Sequence, residues 1–403
     1  MDIRPILSTL RRHKTASALI VLEIALSCAI VCNALFLIGT RMDRMNRDTG
    51  MANDEIVRIN TVGIGTNDNA DAAAKTDLAA LRAIPGVKYA TVTNHVPFDN
   101  SSWNSSVSIK ADQQIPSMNV GVYLGDEQMP ETFGLKIIAG RDFLPEEFIS
   151  MSTIKGDTAV PAAIVTRAMA EKLFPGENAL GKLLHDSWGS KPIKIVGVIG
   201  TLIRPNDNEG AAFSQYSMLL PIRPTSGRFA IRTSPERRQD VLKAAVAALE
   251  KVNRSRIIMD QGTFTDVIDE YYRQDKAMAW LLGAVCIALM VVTALGIVGL
   301  ASFWVQQRTK QIGVRRALGA TRGQILRYFQ TENFLLATLG IVLGMLGAYG
   351  LNQLLMTYYE LPRLPAIYLP IGAIALWVLG QIAVYGPAKR AAAVPPAVAT
   401  RSV

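Results

Sequence analysis

The sequence predicts an α-helical membrane protein with four transmembrane helices and a large extracytoplasmic α/β domain inserted between helices one and two. Three observations carry this. Half of the 403 residues are hydrophobic, and the mean hydropathy of +0.22 is high for a purely soluble chain. Four apolar runs, residues 16–40, 277–305, 333–356 and 367–385, match the length of about 20 residues that a bilayer crossing needs. Between the first two runs, residues 41–276 alternate strand-like and helix-like segments and hold 28 basic against 29 acidic side chains.

The first run follows Arg11, Arg12 and Lys14, as a secretory signal would. It is much longer than the apolar core of a signal, about 7–15 residues, and no clear A-x-A cleavage site follows it. It therefore reads as a retained helix. The three cysteines, Cys28, Cys32 and Cys286, all lie in apolar runs, so no disulfide framework is expected.

The net charge of +9 does not point to nucleic acid, because the excess is confined to the helix ends. The tail 1–15 carries Arg4, Arg11, Arg12 and Lys14 against Asp2. Segment 306–332 carries Arg308, Lys310, Arg315, Arg316, Arg322 and Arg327, and the tail 386–403 adds Lys389, Arg390 and Arg401. The loop between helices three and four holds only Glu360 and Arg363. Basic residues near helix ends stay on the cytoplasmic side. Both termini and segment 306–332 are thus expected on the cytoplasmic side of the membrane, with residues 41–276 outside.

Within the outer domain, EIVRINTV, DLAALRAI and VKYATVT read as strand, helix and strand, with a break at Pro85 and Gly86. GRFAIRTS, PERRQDVLKAAVAALEKV and SRIIMD repeat the pattern, and Pro235 suits the first turn of the helix. The two units are expected to pack as one subdomain, about 50–99 with 223–262, around an insert of about 100–222. The insert contains FPGENALGKLL, which has the Gly176, Gly181 and Lys182 spacing of a phosphate-binding loop but Leu183 in place of the magnesium-binding hydroxyl. It reads as a helix stop and a turn. His95 and His185 lack partners at metal-ligand spacing, and Ser101, Ser102, Ser105 and Ser106 read as polar loop. A non-catalytic chain without a metal site is expected. The charged stretches RMDRMNRD and VIDEYYRQDKAMAW are compatible with helix and would extend helices one and two outward as a stalk.

Four features of the membrane part stand out. Glu23 is an intramembrane carboxylate, for which pairing with polar groups of neighbouring helices is expected. Glu332 is expected to open helix three, where a carboxylate suits the positive helix end. Gly340, Gly344 and Gly347, continued by Gly350, give that helix a small-residue packing face. Tyr358, Tyr359 and Tyr368 form an aromatic belt at the outer ends. Between helices two and three, residues 308–318 read as a short helix broken at Gly319, and Thr321 with Gln324 as a capping box that starts another.

The stretch QQRTKQIGVRRALGATRGQILRYFQTENFLLATLGIVLG resembles the hallmark segment of FtsX-like/MacB-type ABC transporter permeases. QMPETFGLKIIAGRDF and AAIVTRAMAEKLFPGENALGKLL are similar to the periplasmic core domain of that family, and GPAKRAAAVPP to its usual C-terminus. The resemblance implies a two-subdomain MacB-like outer domain and a permease whose ATPase domain is on another chain. It implies that Arg308, Lys310, Ile312, Gly313, Val314, Arg315, Arg316, Ala317, Leu318, Gly319 and Ala320 couple to that ATPase, with Ile312, Val314 and Leu318 as apolar anchors. ATP and magnesium would be bound by the partner and by no site on this chain. The expected partners are an ABC ATP-binding subunit, a second permease (identical or related), membrane lipid and, in a tripartite arrangement, a periplasmic adaptor. The implied function is mechanotransmission, in which ATPase motion moves the periplasmic domain and exports or extracts amphipathic cargo such as antibiotics, peptides or lipoproteins. The alternative is an FtsX-like regulator that passes the motion to an extracytoplasmic enzyme without transport.

Overall fold

The computed structural model describes residues 14–63, 69–99, 103–155, 158–186, 191–206, 213–225, 227–359 and 363–395. The expectations placed on Asp2, Arg4, Arg11, Arg12, Ser101, Ser102, Glu360 and Arg401 lie outside these residues. The chain divides into two compact units, Asn46–Arg273 on the one hand and Met1–Met45 with Gln274–Val403 on the other.

The chain opens with α1 (Lys14–Met45). In Asn46–Arg273, β1 (Ile56–Gly63), α2 (Ala70–Arg82) and β2 (Val87–Val92) form the first βαβ unit. An insert follows, with β3 (Asn104–Ser108), β4 (Met118–Leu124), α3 (Met129–Phe133), β5 (Ile137–Gly140), β6 (Ile149–Ser150), β7 (Ala162–Thr166) and α4 (Arg167–Leu173). It continues through β8 (Leu183–Asp186), β9 (Ile193–Ile199), β10 (Ser217–Leu220) and β11 (Ile222–Arg223). The second unit is β12 (Arg228–Thr233), α5 (Arg238–Val252) and β13 (Arg256–Thr263), followed by α6 (Phe264–Tyr271).

The two units interleave in one antiparallel sheet of order β13-β1-β12-β2, the ferredoxin-like form of the split βαβ. Alternation along the strands puts Val57, Ile59, Ala90, Val92, Phe229 and Ile231 on one face. That face is covered by Leu78 and Leu81 of α2 and by Val241, Leu242, Ala245 and Leu249 of α5, whose spacing follows the helical period. The insert forms a second sheet of order β5-β9-β7-β10-β4-β3-β8. In it β8 also pairs with β9, so six strands close into a ring and β5 runs on along β9. Closure leaves those six strands without a free edge. Its interior is filled by Val107, Val120, Val122, Val165, Leu184, Ile195 and Met218, among others.

The two subdomains meet at buried polar groups. Tyr123 on β4 is fully buried, donates its hydroxyl to Ile203 O at 2.5 Å and stacks edge-on against His95 at 4.6 Å. Thr91 Oγ1 donates to Asp126 Oδ1 at 2.6 Å, and Arg82 pairs with the other oxygen of the same carboxylate. Burial, and next the Arg228 guanidinium, push His95 down to about 3. His95 is therefore neutral in the fold and takes up a proton on unfolding below about pH 6.5.

In the other unit, α7 (Arg273–Gln307), α8 (Thr309–Ala317), α9 (Arg322–Tyr359) and α10 (Tyr368–Ala392) follow. Helices α1, α7, α9 and α10 are each long and apolar enough to cross a membrane. Ile20, Ile24, Cys28 and Cys32 of α1 pack among Leu336, Ala337 and Ile341 of α9 and Ala373 and Leu376 of α10. The small-residue face of α9 turns to α1 of the same chain. A Cβ on Gly340 would lie 2.9 Å from Val21 O, and one on Gly344 would lie 2.6 Å from Ala25 O. A Cβ on Gly347 would make only an ordinary contact with Ala29, and one on Gly350 would meet open space.

Two expectations about helix three change. It is continuous from Arg322, so the capping box at Thr321 starts the same helix that crosses the membrane. Glu332 therefore lies ten residues inside the helix and does not open it. Its charge is neutralised across the bundle, described below, which removes the reason for a break.

Two outcomes follow from these contacts. Gly344→Ala should destabilise the detergent-solubilised protein by about 1–3 kcal/mol in thermal unfolding, because the helices must move apart, while Gly350→Ala should not. In calorimetry of the full-length protein, the stability of the α/β domain should fall by about 2 kcal/mol from this residue alone between pH 7 and pH 5. His95→Phe should flatten that slope.

Candidate functional site

α7 and α8 are separated by a single residue, Arg308. Its N–H closes the last bond of α7 on Trp304 O at 3.1 Å, and its carbonyl accepts the first bond of α8 from Ile312 at 2.9 Å. The Arg308 side chain turns inward, with Nη1 donating to both oxygens of Glu332 at 3.0 Å and the guanidinium 5.5 Å from the Trp304 ring. This pair is almost fully buried. The neighbour of Glu332, Asn333, donates its side-chain amide to Gly380 O of α10 at 3.0 Å. One turn into α8, Ile312 is buried with Val305, Ile325, Phe329, Ala388 and Ala391.

α8 ends as sequence and geometry require. Gly319 has φ of +97°, Ala320 N donates to Arg315 O at 3.0 Å and Gly319 N to Arg316 O at 3.2 Å. This is a Schellman cap, which favours glycine at that position. Arg316 Nη1 donates to Ala320 O at 3.3 Å, and the Arg315 guanidinium lies 5.0 Å from the ring of Tyr328 in the first turns of α9.

The eleven residues expected to couple thus separate into two sets. Arg308, Ile312 and Gly313 are buried against the chain's own helices and present nothing to a partner. Lys310, Val314, Arg315, Ala317, Leu318 and Gly319 are exposed, with Leu318 at 82% and Val314 at 48%, while Arg316 and Ala320 are half-buried. The outward surface is therefore an apolar knob of Val314 and Leu318 among cations. Ile312 is an apolar anchor inward, toward α9 and α10, and Arg308 turns inward beside it. The physical reason is the helical period, which puts residues 308 and 312 on one face and turns 314 and 318 away from it.

A polar seam runs along α1 and α7. Glu23 is half-buried and fills the space left at Gly296, where any Cβ would collide with its carboxylate. Ser27 and Thr293 hydroxyls are 2.7 Å apart. Near the other end of both helices, Asp275 pairs with Arg41 and lies 3.5 Å from Arg44. The sequence reading missed the Arg308–Glu332 pair and this one, because both join residues far apart in the chain. One signal was available: Glu332 is the only acidic residue between Asp275 and Glu360.

FPGENALGKLL follows α4 and leads into β8. Gly176 and Gly181 form turns, and Lys182 Nζ donates to Glu177 Oε2 at 2.7 Å, so its charge is already matched. No group of three or more potential metal ligands is present among the described residues.

Residues 17–249 match the family model of the MacB-like periplasmic core domain, and residues 283–396 that of the FtsX-like permease C-terminal region. The chain is 24% identical to the uncharacterized ABC transporter permease YknZ of Bacillus subtilis, over 99% of this chain and 98% of that protein. It is 23% identical to the macrolide export ATP-binding/permease protein MacB of Mannheimia succiniciproducens over 96% of this chain, and spans 59% of that protein's length. It is 26% identical to the pyoverdine export ATP-binding/permease protein PvdT of Pseudomonas entomophila, over 68% of this chain and 41% of that protein. A solved structure, the extracellular domain of YknZ, aligns with 50% of this chain at 17% identity with a TM-score of 0.32. With the first family model spanning more than half of its length, the chain belongs to the ABC transporter permeases that combine a MacB-like periplasmic core domain with an FtsX-like C-terminal region.

Proposed function

We propose that this permease couples ATP hydrolysis by a separate ABC ATP-binding subunit to movement of its α/β domain. The observation that carries this is the two-sided helix α8: Val314 and Leu318 project outward among Lys310, Arg315 and Arg316, while Ile312 and Arg308 fasten the same helix to α7, α9 and α10. Such a surface fits a groove that is apolar at its base and acidic at its rim, and a load on it passes to three helices at once. ATP and magnesium belong to the partner. The excess of basic residues at 306–332 and at the two tails supports cytoplasmic termini and a periplasmic α/β domain.

The working unit pairs this chain with a second permease in the bacterial inner membrane, and the Arg41–Asp275 contact holds the outer extensions of α1 and α7 together as a stalk. The MacB and PvdT relatives are named for macrolide and pyoverdine export, which supports export of amphipathic cargo by this chain; a periplasmic adaptor would receive it.

Affinity capture of tagged permease from native membranes checks the docking surface. Leu318→Glu and Arg315→Glu should each lower the recovered ATP-binding subunit about tenfold, the scale of losing one interface anchor. Gly319→Pro should do the same, since proline cannot adopt φ of +97°. Undiminished recovery with all three variants would remove α8 as the docking element.

A further inference from the structure

The Arg308–Glu332 pair is costly to keep. Burying two charges in an apolar bundle gives little net stability, and a pair of apolar side chains of similar volume often serves as well or better. This pair is also incompletely matched: among the described residues, Arg308 Nη2 has no hydrogen-bond partner. Its position is what sets it apart. Arg308 is the single residue between α7 and α8, with φ of −103° and ψ of 12°, outside the helical values on either side. A hinge that consists of one residue leaves the direction of α8 to whatever holds that residue's side chain.

Two neighbours touch it, and a third contact braces one of them. Glu332 takes the guanidinium from α9, Trp304 covers it from α7, and Asn333 fastens the Glu332 turn to Gly380 of α10. The apolar cluster around Ile312 fixes how closely α8 approaches but tolerates sliding and repacking, as apolar contacts do. The charge-assisted bonds to both carboxylate oxygens are directional.

We propose that Arg308 and Glu332 are a positioning pair that latches the α7–α8 hinge, so that a displacement of α8 is delivered to α7 and α9 together and is not absorbed as bending at residue 308. This rests on α8 being the docking element. The pair acts on coupling and not on partner binding, because neither side chain reaches the outward surface.

The test uses full-length permease in lipid nanodiscs with spin labels at exposed Ala317 on α8 and exposed Leu346 on α9. The variants are Glu332→Gln and the apolar double variant Arg308→Met with Glu332→Leu. The double variant should keep its thermal transition, yet both variants should broaden the label-to-label distance distribution. With the ATP-binding subunit added, permease-dependent stimulation of hydrolysis should fall roughly tenfold, within the range reported for residues that carry coupling, at unchanged partner recovery. The charge-exchanged variant Arg308→Glu with Glu332→Arg should narrow the distribution again. Distributions as narrow as wild type in both variants would overturn the latch. Loss of partner recovery without broadening would overturn it as well, since the pair would then be part of docking. If wild-type permease recovers no ATP-binding subunit, the docking reading fails, while the distance measurement still decides the latch.

Discussion

A guanidinium cannot lie inside an apolar helix bundle without a counter-charge, and over the three C-terminal helices this chain supplies only Glu332. That scarcity organises the membrane unit. With five other cations in residues 306–332 facing outward or half-buried, that carboxylate pairs with Arg308, and the end of α7 is thereby tied to α9 ten residues from its start. α8 inherits its direction from that tie. The same requirement is met on a smaller scale elsewhere, where Asn33 donates to Ala348 O at 3.1 Å and Trp377 Nε1 to Thr338 Oγ1 at 3.1 Å. Each such bond stitches α9 to a different neighbour, while the glycines at 340 and 344 let α1 approach closely.

The parts of this arrangement that are local in sequence were legible in it. The Thr321–Gln324 box reads directly and forms, with bonds of 2.9 and 3.2 Å. The two βαβ units also read directly, since strand and helix periods differ and Pro85 with Gly86 marks the break. Their packing as one subdomain was expected from their flanking position, whereas their interleaving into one sheet and the closed ring of the insert were not. Its strands are four to seven residues long, and the bond that closes it joins β8 to both β3 and β9, a matter of long-range register.

At the candidate site the limit was of another kind. Ile312, Val314 and Leu318 look alike as apolar residues on a basic helix, and composition does not say which of them the chain keeps for its own core. Arg308 was grouped with the outward cations for the same reason, and Glu332 was placed at a helix start because a buried partner 24 residues away leaves no local trace. The glycine face was expected to pack against another helix, and the helix it meets, α1, lies more than 300 residues earlier in the chain.

The length of α7 gives the one-residue junction at its end a particular weight. Its 35 residues make a rod of about 52 Å at 1.5 Å per residue. By simple leverage, tilting that rod by about 5° about residue 308 swings its far tip through about 4–5 Å. The choice of side chain at one pivot therefore sets how a small stroke at one end is magnified at the other.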